Sequence, residues 1–203
     1  MHRNVLRLAT AAAAVAAPLV LVPAIASAHP GHDAADLVHG FMHPLGGIDH
    51  ILAMVAVGLI AARMGGRALW LVPASFVLTM AFAGLVGMTG VIVTGAEAGI
   101  ALSVLVLGAM IAFGMRLPVA AVMGMVGFFA LFHGYAHGAD MPATASGLAF
   151  GAGFVAATAL LHALGIALGL ALGSTGTTFS RHTLRLGGSA IMLVGAVLLI
   201  GAM

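Results

Sequence analysis

The chain has 203 residues, of which 63% are apolar and 6% are charged, and its mean hydropathy is +1.22. Soluble domains carry about one quarter charged residues, so this composition excludes a water-soluble fold. Seven Arg, five acidic residues and no Lys leave a scattered net charge of +2 with no nucleic-acid footprint, and the absence of Cys removes disulfides, thiolate metal sites and Cys nucleophiles.

The chain begins with Arg3 and Arg7, an apolar run from Leu8 to Ile25, and Ala26-Ser27-Ala28. That is the order of a signal peptide ending in an A-x-A cleavage site. Residues 1–28 are therefore read as a cleaved signal; an uncleaved first helix would leave His29 on the same, non-cytoplasmic side. The new N-terminus, His29-Pro30-Gly31-His32-Asp33, offers an amine, two imidazoles and a carboxylate. It is either a weak capture site for a cation outside the membrane or a flexible tail.

Apolar stretches long enough to cross about 30 Å of hydrocarbon follow at 39–62, 68–89, 98–115, 117–136, 147–172 and 184–203. The expected fold is all-α: a polytopic membrane bundle of six transmembrane helices, forming one domain over 29–203 with short connections. With the N-terminus outside, the cytoplasmic loops collect Arg63, Arg67, Arg116, Arg181 and Arg185, while Asp33, Asp36, Glu97 and Asp140 fall outside. The positive-inside rule thus supports the topology independently of the signal. Glycine spacings such as Gly84-x-x-Gly87 and Gly165-x-x-x-Gly169 suit close helix packing in lipid.

Ten His in so apolar a chain need an explanation, and half of them fall in two clusters. The first is His39-Gly-Phe-Met-His43-Pro44-Leu-Gly46-Gly47-Ile-Asp49-His50-Ile-Leu-Ala-Met54, in the outer half of the first span. A centred Asp alone costs about 2.5 to 3.5 kcal/mol to insert, and ionisable residues at membrane depth are functional by default. Pro44, Gly46 and Gly47 are poor helix formers, so the helix is expected to break between His43 and Asp49. Such a break is tolerated where it lines a cavity, and it frees carbonyls that can face a cation. Asp49 and His50 point about 100° apart on a regular helix, whereas His50 and Met54 share a face. Met54 is as well explained by core packing as by ligation.

The second cluster is Phe132-His133-Gly-Tyr-Ala-His137-Gly-Ala-Asp140, at the outer end of the fourth span. His133 and His137 stand at i and i+4, the spacing at which two imidazoles bind one ion from one helix face, and Asp140 follows three residues on. His162 lies at mid-depth in the fifth span. The metal-ligand set expected is His43, Asp49, His50, His133, His137 and His162, with His29, His32, His39, Asp140 and Met54 as outlying candidates. Imidazoles with a few carboxylates suit Ni, Co, Zn or Cu(II). They bind only when deprotonated, so uptake should fall in acid.

These runs resemble the HupE/UreJ family of nickel and cobalt permeases. The likeness is carried by His43-Pro44-Leu-Gly46-Gly47-Ile-Asp49-His50-Ile-Leu-Ala-Met54, by Phe132-His133-Gly134-Tyr135-Ala136-His137-Gly138 and by His162-Ala163-Leu-Gly165. It implies secondary uptake of Ni²⁺ or Co²⁺ across the bacterial inner membrane, commonly to supply a hydrogenase or a urease. The metal would be substrate and not a resident cofactor, the chain would not be an enzyme, and no residue would be catalytic. The expected partners are the dication, the lipid bilayer and a second copy of the chain in a homo-oligomer, with no nucleic acid. The competing reading is a membrane redox or metalloenzyme subunit whose His pairs hold haem or a catalytic metal. It needs axial His residues facing each other near mid-depth, and no HExxH motif is present.

Overall fold

The computed structural model describes residues 33–139, 141, 145–173 and 177–203. The expected signal peptide, His29, His32 and Asp140 lie outside the described residues. Among those described, the chain forms seven helices and no strand: α1 (Asp33–Gly46), α2 (Ile48–Met64), α3 (Ala68–Gly87), α4 (Ala96–Ala112), α5 (Val119–Ala139), α6 (Ala145–Gly173) and α7 (Thr178–Gly201). The chain is an all-helical, multi-pass membrane protein. Helices α3, α5, α6 and α7 are each long and apolar enough to cross a bilayer, and the bent pair α1–α2 makes a fifth candidate span. Helix α4 is equally apolar but has 17 residues, about 25 Å at 1.5 Å per residue, short of a straight crossing.

The break expected in the first span is present, but it is narrower than the whole Pro44–Gly47 stretch. Helix α1 continues through Pro44 to Gly46, and the chain leaves helical geometry at Gly47 alone (φ −105°, ψ 121°) before α2 starts at Ile48. The two axes meet at 82°. Pro44 removes one N–H from the ladder without stopping the helix, and the glycine with the extended backbone makes the corner.

Two other boundaries depart from the apolar pattern for local reasons. Helix α4 stops at Ala112, although Phe113 and Met115 prolong the apolar run, because Gly114 adopts φ +67° and turns the chain out of the helix. Helix α7 starts at Thr178 rather than near 184, because the Thr177 side chain caps it by accepting the Ser180 N–H at 3.2 Å.

Apolar residues occupy both the surface and the core, and a few polar ones are enclosed among the latter. Trp70, Leu78, Phe82, Leu193, Val197 and Ile200 are exposed, as lipid-facing residues must be, while His50, Ser103, His133, Thr158 and His162 are buried. Helix α3 packs along α5, α4 along α7, and α6 along both α1 and α2. The α3–α5 contact depends on Gly134: a Cβ there would stand 2.0 Å from the Met80 carbonyl oxygen. That close approach brings the face of α5 bearing His133 and His137 onto the core.

At the end of the bundle opposite the broken corner, Arg63 in the last turn of α2 donates from Nη1 to the Met110 carbonyl at 3.3 Å and from Nη2 to the Met115 carbonyl. The Met110 carbonyl lies in the last turn of α4, where it also accepts the Met115 N–H at 3.1 Å, and Met115 lies just beyond the helix.

Candidate metal centre

The corner at Gly47 turns α1 back across the start of α2, so that His43 and His50 approach the same stretch of α5. His43 Nε2 lies 3.0 Å from His137 Nδ1, and His137 Nε2 lies 2.5 Å from His50 Nε2. His50 completes the run: its Nδ1 and its backbone N–H each stand 2.8 Å from Asp49 Oδ1. Four side chains from three helices thus form one unbroken sequence of contacts, His43–His137–His50–Asp49.

The donors in this sequence can be ordered. With the carboxylate as acceptor, His50 Nδ1 carries the proton and His50 Nε2 the lone pair. His137 then donates from Nε2, and its Nδ1 accepts from His43 Nε2–H. Each neutral imidazole supplies the one proton it has. The single hydrogen between His137 and His50 is the centre of the arrangement.

Gly47 has a second role here. A Cβ at that position would lie 2.6 Å from Asp49 Oδ1 and 3.1 Å from His50 Nδ1. The glycine that makes the corner therefore also leaves space for the carboxylate to fold back on its neighbour. Asp49 consequently stands behind His50 and orients it, an arrangement expected of outer partners at metal sites.

His133, one turn before His137 on α5, meets the His50 ring edge-on at a centroid distance of 4.9 Å, and His137 meets it at 4.5 Å. The i, i+4 pair therefore straddles His50, as its spacing anticipates. Phe154 of α6 covers the cluster, with its ring 4.8 Å from His137 and 6.0 Å from both His43 and His50; Phe150 adds a contact to His43 at 5.5 Å. These rings keep water from one side of the imidazoles and strengthen electrostatics among them.

His162 is buried at 1% exposure, and neither ring nitrogen has a hydrogen-bond partner among the described residues. It stands one aromatic ring from the cluster: Phe76 meets His162 at 5.2 Å and His133 at 5.5 Å. His39 is exposed on α1, a turn before His43. Met54 is fully buried in the apolar core with Val57, Val72 and Phe76. Among the described residues, no three His, Asp or Glu side chains converge on a common point as a ready-made coordination sphere. The nitrogens face one another instead, so an ion would enter by replacing a hydrogen bond.

Sequence reasoning passes over Ser103, whose Oγ lies 3.0 Å from His133 Nε2, and the aromatic wall of Phe76, Phe150 and Phe154. Ser103 does leave a trace: it is the one hydroxyl in the otherwise apolar stretch 98–112. The phenylalanines leave none, because aromatic residues on a lipid-facing helix and in a site wall read alike.

A bundle of apolar helices enclosing histidines and a carboxylate defines a polytopic membrane protein with an intramembrane polar site. The family model described as HupE / UreJ protein matches residues 17–198, and the chain belongs to this family. It is 44% identical over 125 residues to the protein HupE of Rhizobium leguminosarum bv. viciae, a match spanning 62% of this chain and 65% of that protein. No solved structure matches the chain.

Proposed function

We propose that the chain is a secondary transporter that takes up a transition-metal dication, Ni²⁺ or Co²⁺, across the bacterial inner membrane. The observation that carries this reading is the contact of His137 Nε2 with His50 Nε2 at 2.5 Å, flanked by His43, Asp49 and His133. Two imidazole nitrogens on one ion, each about 2 Å from it, stand roughly 3 Å apart, so the two rings need to part only slightly to admit a cation. The ion then replaces the hydrogen bond between them, as the His137 proton shifts from Nε2 to Nδ1 and His43 exchanges its own tautomer to accept it. An imidazolium cannot ligate, so binding should weaken in acid.

His43, His50, His133 and His137 serve as the nitrogen ligands, Asp49 offsets part of the dication's charge, and His162 lies deeper on the route. Imidazole-rich, carboxylate-poor donors favour Ni²⁺, Co²⁺ or Zn²⁺ over Mg²⁺ or Ca²⁺. The membrane potential supplies about 2.3 kcal/mol per charge per 100 mV for inward movement. In this reading residues 1–28 are removed as a signal and the mature N-terminus is periplasmic. The broken α1–α2 pair and α3 to α7 make six spans over 29–203, and Arg63, Arg67, Arg116, Arg181 and Arg185 face the cytoplasm. The direct contact of the His50 and His137 rings leaves no space for a porphyrin between them, which argues against the haem alternative.

The test is accumulation of radiolabelled Ni²⁺ by cells expressing the chain, with His50→Ala and His133→Ala variants at matched membrane abundance and unlabelled Co²⁺, Zn²⁺ and Mn²⁺ as competitors. The expected result is uptake that either substitution abolishes and that Co²⁺ competes more strongly than Mn²⁺. Wild-type accumulation no higher than in empty-vector cells would refute the reading.

A further inference from the structure

Ser103 lies within α4, fully buried, and its two hydrogen-bond contacts determine where a proton sits on His133. Its Oγ is 2.6 Å from the Ile100 carbonyl oxygen. Two oxygens that close need a hydrogen between them, and a carbonyl has none, so the hydroxyl donates to Ile100. The same Oγ is 3.0 Å from His133 Nε2. With the hydroxyl proton already committed, the proton in this second contact comes from the imidazole: His133 donates from Nε2–H.

A neutral imidazole carries one N–H, so a proton at Nε2 leaves Nδ1 with a bare lone pair. That Nδ1 is buried and has no hydrogen-bond partner among the described residues. His133 thus differs from His137 and His50, whose ring nitrogens are all engaged. A buried acceptor left unpaired is costly unless something else occupies it.

We infer that Ser103 is a positioning residue of the metal site, holding His133 in the Nε2–H tautomer so that Nδ1 stands as a ready ligand for a borderline dication such as Ni²⁺ or Co²⁺. The inference rests on the transport reading above and adds a residue and an atom to it. In this arrangement the cluster offers two kinds of ligand: His137 binds only after its Nε2 proton moves to the other ring nitrogen, whereas His50 Nε2 and His133 Nδ1 already carry a bare lone pair. Metal-ligating histidines depend on such partners, and removing one costs about 10- to 100-fold in metal affinity.

The experiment uses the purified full chain in lipid nanodiscs. Ni²⁺ and Co²⁺ affinities are measured for wild type, Ser103→Ala and Ser103→Thr, and ¹⁵N spectra of histidine-labelled protein are recorded without metal, with His133 assigned from His133→Gln. In wild type, His133 should show a protonated Nε2 and an unprotonated Nδ1. Ser103→Ala should lose that fixed pattern and weaken Ni²⁺ binding by about 10- to 100-fold, while Ser103→Thr, which keeps the hydroxyl, should stay within about threefold of wild type. If Ser103→Thr does not fold, the tautomer signature of Ser103→Ala decides alone. Unchanged affinity and an unchanged His133 signature in Ser103→Ala would overturn the inference while leaving the transport reading intact. Failure of wild type to bind either metal would overturn both.

Discussion

The two ends of the bundle satisfy their polar groups in different ways. At the broken corner, side chains bond to side chains: His43 to His137, His137 to His50, and His50 to Asp49. At the opposite end, Arg63 bonds to the backbone, on the Met110 carbonyl in the last turn of α4 and the Met115 carbonyl just beyond it. A hydrogen bond between two imidazoles can be exchanged for a shared metal ion, because a neutral imidazole can move its proton to the other ring nitrogen and leave a lone pair facing the ion. A guanidinium on helix-terminal carbonyls has no such exchange available. The first kind of contact is suited to function and the second to stability.

This difference can be broken most severely at its centre. Replacing His137 by Ala removes the link between His43 and His50, and Ni²⁺ uptake at matched abundance should fall by at least about 100-fold, since the loss includes both a ligand and the orientation of its neighbours. Asp49→Ala keeps every imidazole but frees the His50 ring. Uptake should fall by about 10- to 100-fold, read in the same accumulation assay. At the other end, Arg63→Ala should lower thermal stability in detergent by about 1 to 2 kcal/mol, as for a lost charge-assisted hydrogen bond, and leave the affinity for Ni²⁺ unchanged by calorimetry. The smallest effect belongs to Met54→Leu, a volume-conserving change in the apolar core. Both stability and uptake should stay near wild type, with a cost below about 1.5 kcal/mol. A large loss of uptake from Met54→Leu at normal abundance would return its sulfur to the ligand set.

Acidification gives an independent probe of the same contrast. Lowering the pH protonates imidazoles that must be neutral to bind metal, so uptake should fall as pH drops. The Arg63 contacts stay charged across that range, and the fold should persist while transport is lost. Loss of helical structure in step with loss of uptake would contradict that separation.

Much of this was legible in the residues themselves. Long apolar runs can only be helices at membrane depth, because every backbone polar group must be satisfied within the segment. That identifies α3, α5 and α6 almost to their ends. The candidate cluster was legible because Asp49, His50, His133 and His137 are expensive in hydrocarbon, so their presence alone marks them. What sequence could not supply was partnership across helices. His43 and His137 are 94 positions apart, and no local pattern announces that they meet. Depth along a helix likewise does not reveal that the Phe76 ring stands between His162 and His133. Ser103 was overlooked for a related reason: a lone hydroxyl in an apolar helix usually bonds to its own preceding turn. Ser103 does that at Ile100 and bonds to His133 as well.

The central claim is that the histidines at the broken corner hold the transported ion. X-ray absorption at the nickel edge, on wild-type and His137→Ala protein loaded with one equivalent of Ni²⁺, tests it most directly. The account predicts a wild-type first shell with the outer-shell scattering of two or more imidazoles, and one imidazole fewer in His137→Ala. A shell of oxygen donors without imidazole scattering, or a spectrum that His137→Ala leaves unchanged, would contradict it.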